Sequence, residues 1–239
     1  MSLNILLEET PVSAYWIGFI MADGHFSEKR LTVTLAKKDE EHLNKLGSYI
    51  DLGRPAGQLV TVNAVTISKQ EPETVSLIRS RFDFKMKKSY NPPETLPYQD
   101  TDLLLSFLVG FIDGDGSINL QTGRKTAALR TVSSPQWLPF LSELSDQTGF
   151  GKTTLRHDGY ASLNSHRHKE IVSLKQQADL LHLPYLERKW GRVDEGLTGR
   201  GNMQYAVIEM IQDNKGNKEI FAQIGCSPAY LSILQKRLR

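Results

Sequence analysis

The sequence predicts an α+β protein of two pseudo-symmetric halves, each ordered αββαββα and packed together through one helix from each. Three observations carry this. A short apolar stretch ending in an acidic Gly turn is written twice, as Tyr15-Trp16-Ile17-Gly18-Phe19-Ile20-Met21-Ala22-Asp23-Gly24 and Phe107-Leu108-Val109-Gly110-Phe111-Ile112-Asp113-Gly114-Asp115-Gly116, 92 residues apart. The order of predicted elements after each copy is the same, which makes chance recurrence a poor explanation. A stretch with three prolines, Asn91 to Gln99, lies between them and disfavours helix. The expected division is a first half over 1–90, a linker over 91–101, a second half over 102–205 and a helical extension over 206–239.

The elements follow in order. Thr10 and Pro11 read as N-cap and first position of a helix running to about Met21. His25 to Ser27, a turn at Glu28-Lys29-Arg30, and Leu31 to Leu35 alternate like a hairpin. Asp39 to Ile50 has helical spacing, Leu59 to Ser68 reads as one or two strands, and Pro72 to Phe82 as a helix. In the second half, Asp100 or Thr101 caps a helix running to about Ile112. Ser117 to Leu120, a turn at Thr122-Gly123-Arg124 and a strand over Ala127 to Val132 follow. A helix over Pro135 to Thr148, a hairpin over 150–165 turning at His157-Asp158-Gly159, and a helix over Lys169 to Leu181 complete the repeat. Glu219 to Ile224, a Gly-containing turn, and Pro228 to Leu238 capped by Ser227 have the pattern of a helix-turn-helix. The alternative is a plain helical hairpin packed on the second half.

Composition bounds the function. At 239 residues, 39% hydrophobic and 23% charged, the chain is ordinary for a globular protein. The net charge of +2 is unevenly placed. The last 25 residues carry Lys215, Lys218, Lys236, Arg237 and Arg239 against Glu219, leaving about −2 for the remainder. A nucleic-acid surface there must come from local arrangement. The single cysteine, Cys226, excludes an internal disulfide and a cysteine-rich zinc site. The apolar runs are too short to span a bilayer, and no secretory signal opens the chain. No membrane partner and an intracellular setting are expected, with organelle, bacterial or phage cytoplasm, and archaeal cell all open.

A glycine inside an apolar helix costs about 1 kcal/mol relative to alanine. Gly18 and Gly110 recur at one motif position, so close helix-helix approach is the useful explanation. The two helices then run the same way and bring Asp23 and Asp115 to one end. Gly24 and Gly116 are expected in left-handed geometry. Two aspartates at adjacent helix C-termini repel each other and oppose the helix dipoles. A hard divalent cation offsets this, activating water and stabilising phosphate charge. The alternative is that each aspartate caps its own turn and faces solvent.

These motifs resemble the signature of the LAGLIDADG homing endonucleases, in the single-chain form with two motifs, over about residues 10–195. Met21 departs from the pattern, standing where Asp113 stands in the second copy. The resemblance implies two antiparallel saddle sheets straddling a long double-stranded DNA site. It implies a monomer cutting both strands across the minor groove to leave 3′ overhangs, with two or three Mg²⁺ or Mn²⁺ ions at the motif ends. Asp23 and Asp115 would hold them, and a backbone contribution at position 22 is left open. The family also carries basic residues late in each half. Lys88 and Lys189 match, with Lys87 and Arg188 as near alternatives; such a lysine polarises water or offsets phosphate charge. Members are typically encoded in mobile introns or inteins, and intein splice blocks are not visible here, which favours a freestanding or intron-encoded protein.

Bases would be read by strand side chains in the major groove. Candidates are Lys29, Arg30, Thr32, Thr34, Asn63 and Thr66, then Asn119, Gln121, Arg124, Lys125, Arg130, Arg156, His157, Ser162 and Asn164. Strand alternation means that about half of such a set should miss DNA. His157, His166 and His168 lack a metal-ligand arrangement. A helix-turn-helix would add Ala229, Tyr230, Ser232 and Gln235, with Lys236, Arg237 and Arg239 near phosphates. Two other functions stay open. One is an intron RNA maturase; the other is a DNA-binding regulator without cleavage, which retention of both aspartates argues against.

Overall fold

The computed structural model describes residues 2–59, 62–120, 126–197, 207, 210, 211, 213, 215–224, 228, 231, 232 and 235. The first half runs α1 (Pro11–Asp23), β1 (Gly24–Phe26), β2 (Arg30–Ala36), α2 (Glu40–Tyr49), β3 (Gly57–Leu59), β4 (Ala64–Gln70) and α3 (Pro72–Arg81). The second runs α4 (Thr101–Asp115), β5 (Gly116–Leu120), β6 (Ala127–Ser133), α5 (Leu138–Thr148), β7 (Lys152–Leu155), β8 (Ala161–Ser165) and α6 (His168–Leu180). Beyond them lie α7 (Glu187–Leu197) and α8 (Asn217–Ile224). Each half carries one four-stranded antiparallel sheet, ordered β1-β2-β4-β3 and β5-β6-β8-β7. The predicted α+β class and element order of both halves match this architecture.

The motif helices sit at the centre because they have no polar face. Every residue of α1 from Ser13 to Met21 is buried, as a helix apolar all round must be. Its start is fixed by Thr10, whose hydroxyl accepts from Ser13 N at 3.2 Å. Asp100 caps α4, accepting from Leu103 N at 3.0 Å. Both caps satisfy amide groups that a helix start leaves unpaired. Tyr15 stacks on Phe19 and Phe107 on Phe111 at centroid distances of 6.4 and 6.3 Å, so the core repeats across the two halves.

The glycines set how near the helices come. A Cβ on Gly18 would lie 2.0 Å from Phe107 O, and one on Gly110 would lie 1.9 Å from Tyr15 O. Gly114 continues the seam, with its virtual Cβ 2.3 Å from Ala22 Cβ. Gly24 and Gly116 correct the expectation of left-handed geometry. Their φ values are −79° and −89°, in extended backbone. Glycine is needed there for space: a Cβ would meet Ile20 O at 2.7 Å or Ile112 O at 2.5 Å.

The basic run Glu187-Arg188-Lys189-Trp190 is a second correction. The sequence assigned no helix beyond Leu181 in this half, whereas this run opens α7. Trp190 and Val193 are buried on that helix and Leu186 just ahead of it, an i, i+4, i+7 stripe masked by intervening charge. The helix-turn-helix expected over 219–238 lies mostly outside the described residues. Its first helix is present as α8, and Gln235 Nε2 donates to Asn217 Oδ1 at 2.9 Å. Among the described residues no helix is long and apolar enough to cross a membrane.

Candidate active site

The site lies where α1 and α4 end side by side. Asp23 and Asp115 are the last residues of these helices, and both side chains keep open surface. Among the described residues neither carboxylate has a salt bridge or a side-chain hydrogen bond. Desolvation by the surrounding protein raises Asp23 to about 6, the charge of Asp115 adds to it, and Lys189 and Lys88 oppose. Asp115 is also raised by desolvation, against the pull of Lys88 and Lys189. The pair therefore holds a proton more readily than two isolated aspartates.

Each helix end is covered by one lysine, Lys88 half-buried and Lys189 buried. Lys88 Nζ donates to the carbonyls of Ile20 at 3.3 Å, Met21 at 2.6 Å and Ala22. Lys189 Nζ donates to Ile112 O at 3.1 Å, Asp113 O at 2.5 Å, Gly114 O at 3.3 Å and Gly116 O at 2.8 Å. Carbonyls left unpaired at a helix C-terminus attract cations, so the two lysines occupy equivalent places. Burial pushes Lys88 down to about 8 against the attraction of Asp115 and Asp23. Burial likewise lowers Lys189. The near alternatives point elsewhere. Lys87 is exposed in left-handed backbone at φ 52°, and Arg188 makes a bidentate pair with Asp39, Nη2 lying 2.6 Å from Oδ2.

Asp113, the acid without a counterpart at Met21, is fully buried. It accepts from Tyr15 Oη at 2.7 Å, Leu186 N at 2.8 Å and Trp190 Nε1 at 2.9 Å. Burial raises it to about 6 although those bonds and Lys189 pull it down. Tyr15 Oη also lies 2.9 Å from His42 Nε2. None of these partners was singled out from sequence, because each depends on a contact between distant segments.

The two sheets offer polar faces beside this site. In the first, register places His25, Thr32 and Ser68 in one row and Thr34 and Thr66 in the next. Arg30 donates to Gln70 Oε1 at 3.0 Å on the same face. Lys29 and Asn63 lie exposed in turns. In the second, Ser117, Arg130, Asn164 and Lys152 form a row, and Arg130 Nε donates to Asn164 Oδ1 at 3.1 Å. Asn119 accepts from Arg192 Nη1 at 3.0 Å. Arg156 and His157 lie at the β7–β8 turn, and together with Arg130, Lys152 and Asn164 they line an open cavity of about 620 Å³. Ser162 sits in the wall of the same cavity but is itself fully buried, its hydroxyl 3.0 Å from Thr154 Oγ1 and 2.7 Å from Asn164 Nδ2. His25, Ser68, Gln70, Ser117 and Lys152 were missed, although strand alternation alone would have placed several of them. Gln121, Arg124, Lys125, Tyr230, Lys236 and Arg237 lie outside the described residues.

Likeness to known structures decides the fold. Meganuclease I-SmaMI bound to uncleaveable DNA is similar at a TM-score of 0.53 and 14% identity, covering 90% of this chain and 97% of that one. The LAGLIDADG homing endonuclease I-GzeII in complex with its DNA target matches at 0.52 and 11%, covering 87% and 92%. The chain has the LAGLIDADG homing-endonuclease fold, in its single-chain, two-motif form. I-SmaMI bound to uncleaved DNA in the presence of calcium ions matches at 0.51 and 12%, covering 96% and 97%. A stretch covering 49% of this chain is 28% identical to a probable translation initiation factor IF-2 of Methanocaldococcus jannaschii, of which it spans 10%. No family model matches.

Within this LAGLIDADG frame, the residues fit a hard divalent cation. Mg²⁺ takes one or two carboxylates and completes its shell with water and substrate phosphate. Among the described residues no group of three or more His, Cys, Asp or Glu could hold a metal by itself. Desolvation of Asp23, with the like charge of Asp115 added, yields a prediction in the metal-free protein. The folded pKa of Asp23 is above its unfolded value, so ionisation destabilises the fold as pH rises from about 4 through about 6. Asp23→Asn removes this titration. Its melting temperature relative to wild type is expected to be highest above pH 6 and to converge towards wild type near pH 4, as measured by calorimetry in a chelator.

Proposed function

We propose that this chain is a site-specific, divalent-metal-dependent endonuclease of double-stranded DNA. The carrying observation is the twofold ensemble of Asp23 with Lys88 and Asp115 with Lys189, set at adjacent helix ends between two polar sheet faces. The DNA complexes of the similar structures support the substrate class, and the calcium-containing one supports a divalent ion. The proposed reaction is phosphodiester hydrolysis on both strands across the minor groove of a long, non-palindromic site, leaving 3′ overhangs. The proposed organisation keeps two halves over 1–90 and 102–205, a linker over 91–101 and an extension over 206–239, acting as a monomer.

Asp23 and Asp115 would hold two or three Mg²⁺ or Mn²⁺ ions. When bound, such ions supply an activated water and stabilise charge on the phosphate. The chain does the rest. Lys88, whose amine burial lowers to about 8, is held on the carbonyls at the end of α1. Lys88 and Lys189 place positive charge where phosphate charge develops. Arg30, Thr32 and Thr34 on one sheet, and Arg130 and Asn164 on the other, present donors and acceptors to base edges. Dissimilar side chains on the two sheets are why the site need not be a palindrome.

The test is incubation of the purified protein with a library of randomised duplexes and Mg²⁺, followed by sequencing of the cut ends. One long sequence cut on both strands is expected. A protein that cuts nothing yet binds structured intron RNA would be a maturase, and the nuclease reading would be wrong.

A further inference from the structure

Each lysine of the site belongs to one half, but the backbone that carries it is tied to the other. Lys88 follows α3, on a turn that forces Lys87 into left-handed backbone. The turn is held by the second half: Trp137 Nε1 donates to Lys88 O at 3.1 Å and to Ser89 O at 3.2 Å, and Ser134 Oγ donates to Ser89 O. Trp137 is itself buried, packed 5.4 Å from both Phe111 and Phe140. Lys189 stands at the start of α7, and that start is held by the first half. Arg188 is clamped on Asp39, and Tyr15 orients the Asp113 carboxylate that receives Leu186 N and Trp190 Nε1. The chemistry of the two ties differs. One uses an indole N–H and a hydroxyl on backbone carbonyls, the other a bidentate ion pair and a buried carboxylate.

We propose that Trp137 and Asp39 are positioning residues, each setting the lysine of the opposite half and so setting the cutting rate of one DNA strand. The inference rests on the nuclease reading. The amine can cap its helix end only if the backbone at 88 or 189 stays within reach. A tie that fixes that backbone holds the amine at the site, and loss of the tie lets it drift.

The experiment labels the two strands of the selected duplex separately and follows single-turnover cutting. Trp137→Phe keeps one six-membered aromatic ring and removes the pyrrole part of the indole with its N–H, whereas Ser134→Ala loosens the same tie with little loss of volume; Asp39→Asn weakens the clamp on Arg188. Each is expected to slow one strand by about tenfold relative to the other, an effect the size of one or two lost buried hydrogen bonds. The slowed strands should differ between the two variants, and nicked duplex should accumulate. Lys88→Met should slow the same strand as Trp137→Phe. A general loss of stability would slow both strands together, so the strand ratio separates positioning from folding. If Trp137→Phe does not fold, Ser134→Ala tests the same tie. Equal slowing of both strands, or unchanged rates, overturns the inference. A wild-type protein that cuts neither strand overturns the nuclease reading, and this inference with it, and is recognised as such before any variant is made.

Discussion

Asp23→Asn and Asp115→Asn are each expected to reduce double-strand cleavage by about 10²- to 10³-fold or more, the loss typical of removing one preorganised electrostatic group from an active site. DNA binding should change little, because the polar sheet faces are separate from the helix ends. The substitution keeps size and hydrogen-bonding capacity while deleting one charge. It relieves repulsion between the pair and removes a ligand at the same stroke, so stability and activity should move in opposite directions. Gel-shift titration in Ca²⁺ and single-turnover cleavage in Mg²⁺ measure the two effects separately. A variant that loses binding as steeply as cleavage would mean that the aspartates hold the fold or the DNA instead of the metal.

Gly110→Ala is expected to destabilise the protein by about 3 kcal/mol or more, at the upper end of overpacking costs. The added Cβ meets a backbone carbonyl, Tyr15 O at 1.9 Å, so no side-chain rotation relieves it. The helices must move apart along a seam that also carries Gly18 and Gly114. The gain of about 1 kcal/mol in helix propensity is too small to offset this. For a chain of this size the net change corresponds to a fall of roughly 6–12 °C in melting temperature. Gly191→Ala is the internal control. It lies within α7 with nothing within 4 Å of a built Cβ, so propensity alone should leave it neutral or slightly stabilised. If Gly110→Ala melts like Gly191→Ala, the helix seam is looser than described.

What was legible in the sequence follows physical range. The caps at Thr10 and Asp100 act within three residues, and the repeated glycines declare a close approach whichever partner they meet. The hairpins follow from alternation, which also places Arg30, Thr32 and Thr34 on one face. What failed depended on contacts between distant segments. Met21 is the family departure, and Asp113 opposite it reads in sequence only as the acid that keeps the pattern. Its role as a buried acceptor needs Tyr15, 98 residues earlier, and Trp190, 77 later. The same holds for Asp39 and Arg188, 149 residues apart. Helix α7 was hidden because Arg188 and Lys189 are charged groups spent on the protein itself, one on an aspartate and one on a helix end. Gly24 and Gly116 were rightly singled out for the wrong reason, since the demand is for space over the last turn. Ser162 shows the limit of alternation, for a hydroxyl on the right face is still covered by Thr154 and Asn164.

The central claim is that Asp23 and Asp115 jointly hold the catalytic metal against DNA. The most direct measurement is a crystal structure of the protein on its selected duplex with Mn²⁺, with ions placed by anomalous scattering. The account predicts peaks at about 2.0–2.2 Å from both aspartate carboxylates and from phosphate oxygens of the two strands. Peaks bound elsewhere, or phosphates seated away from the ends of α1 and α4, would contradict it.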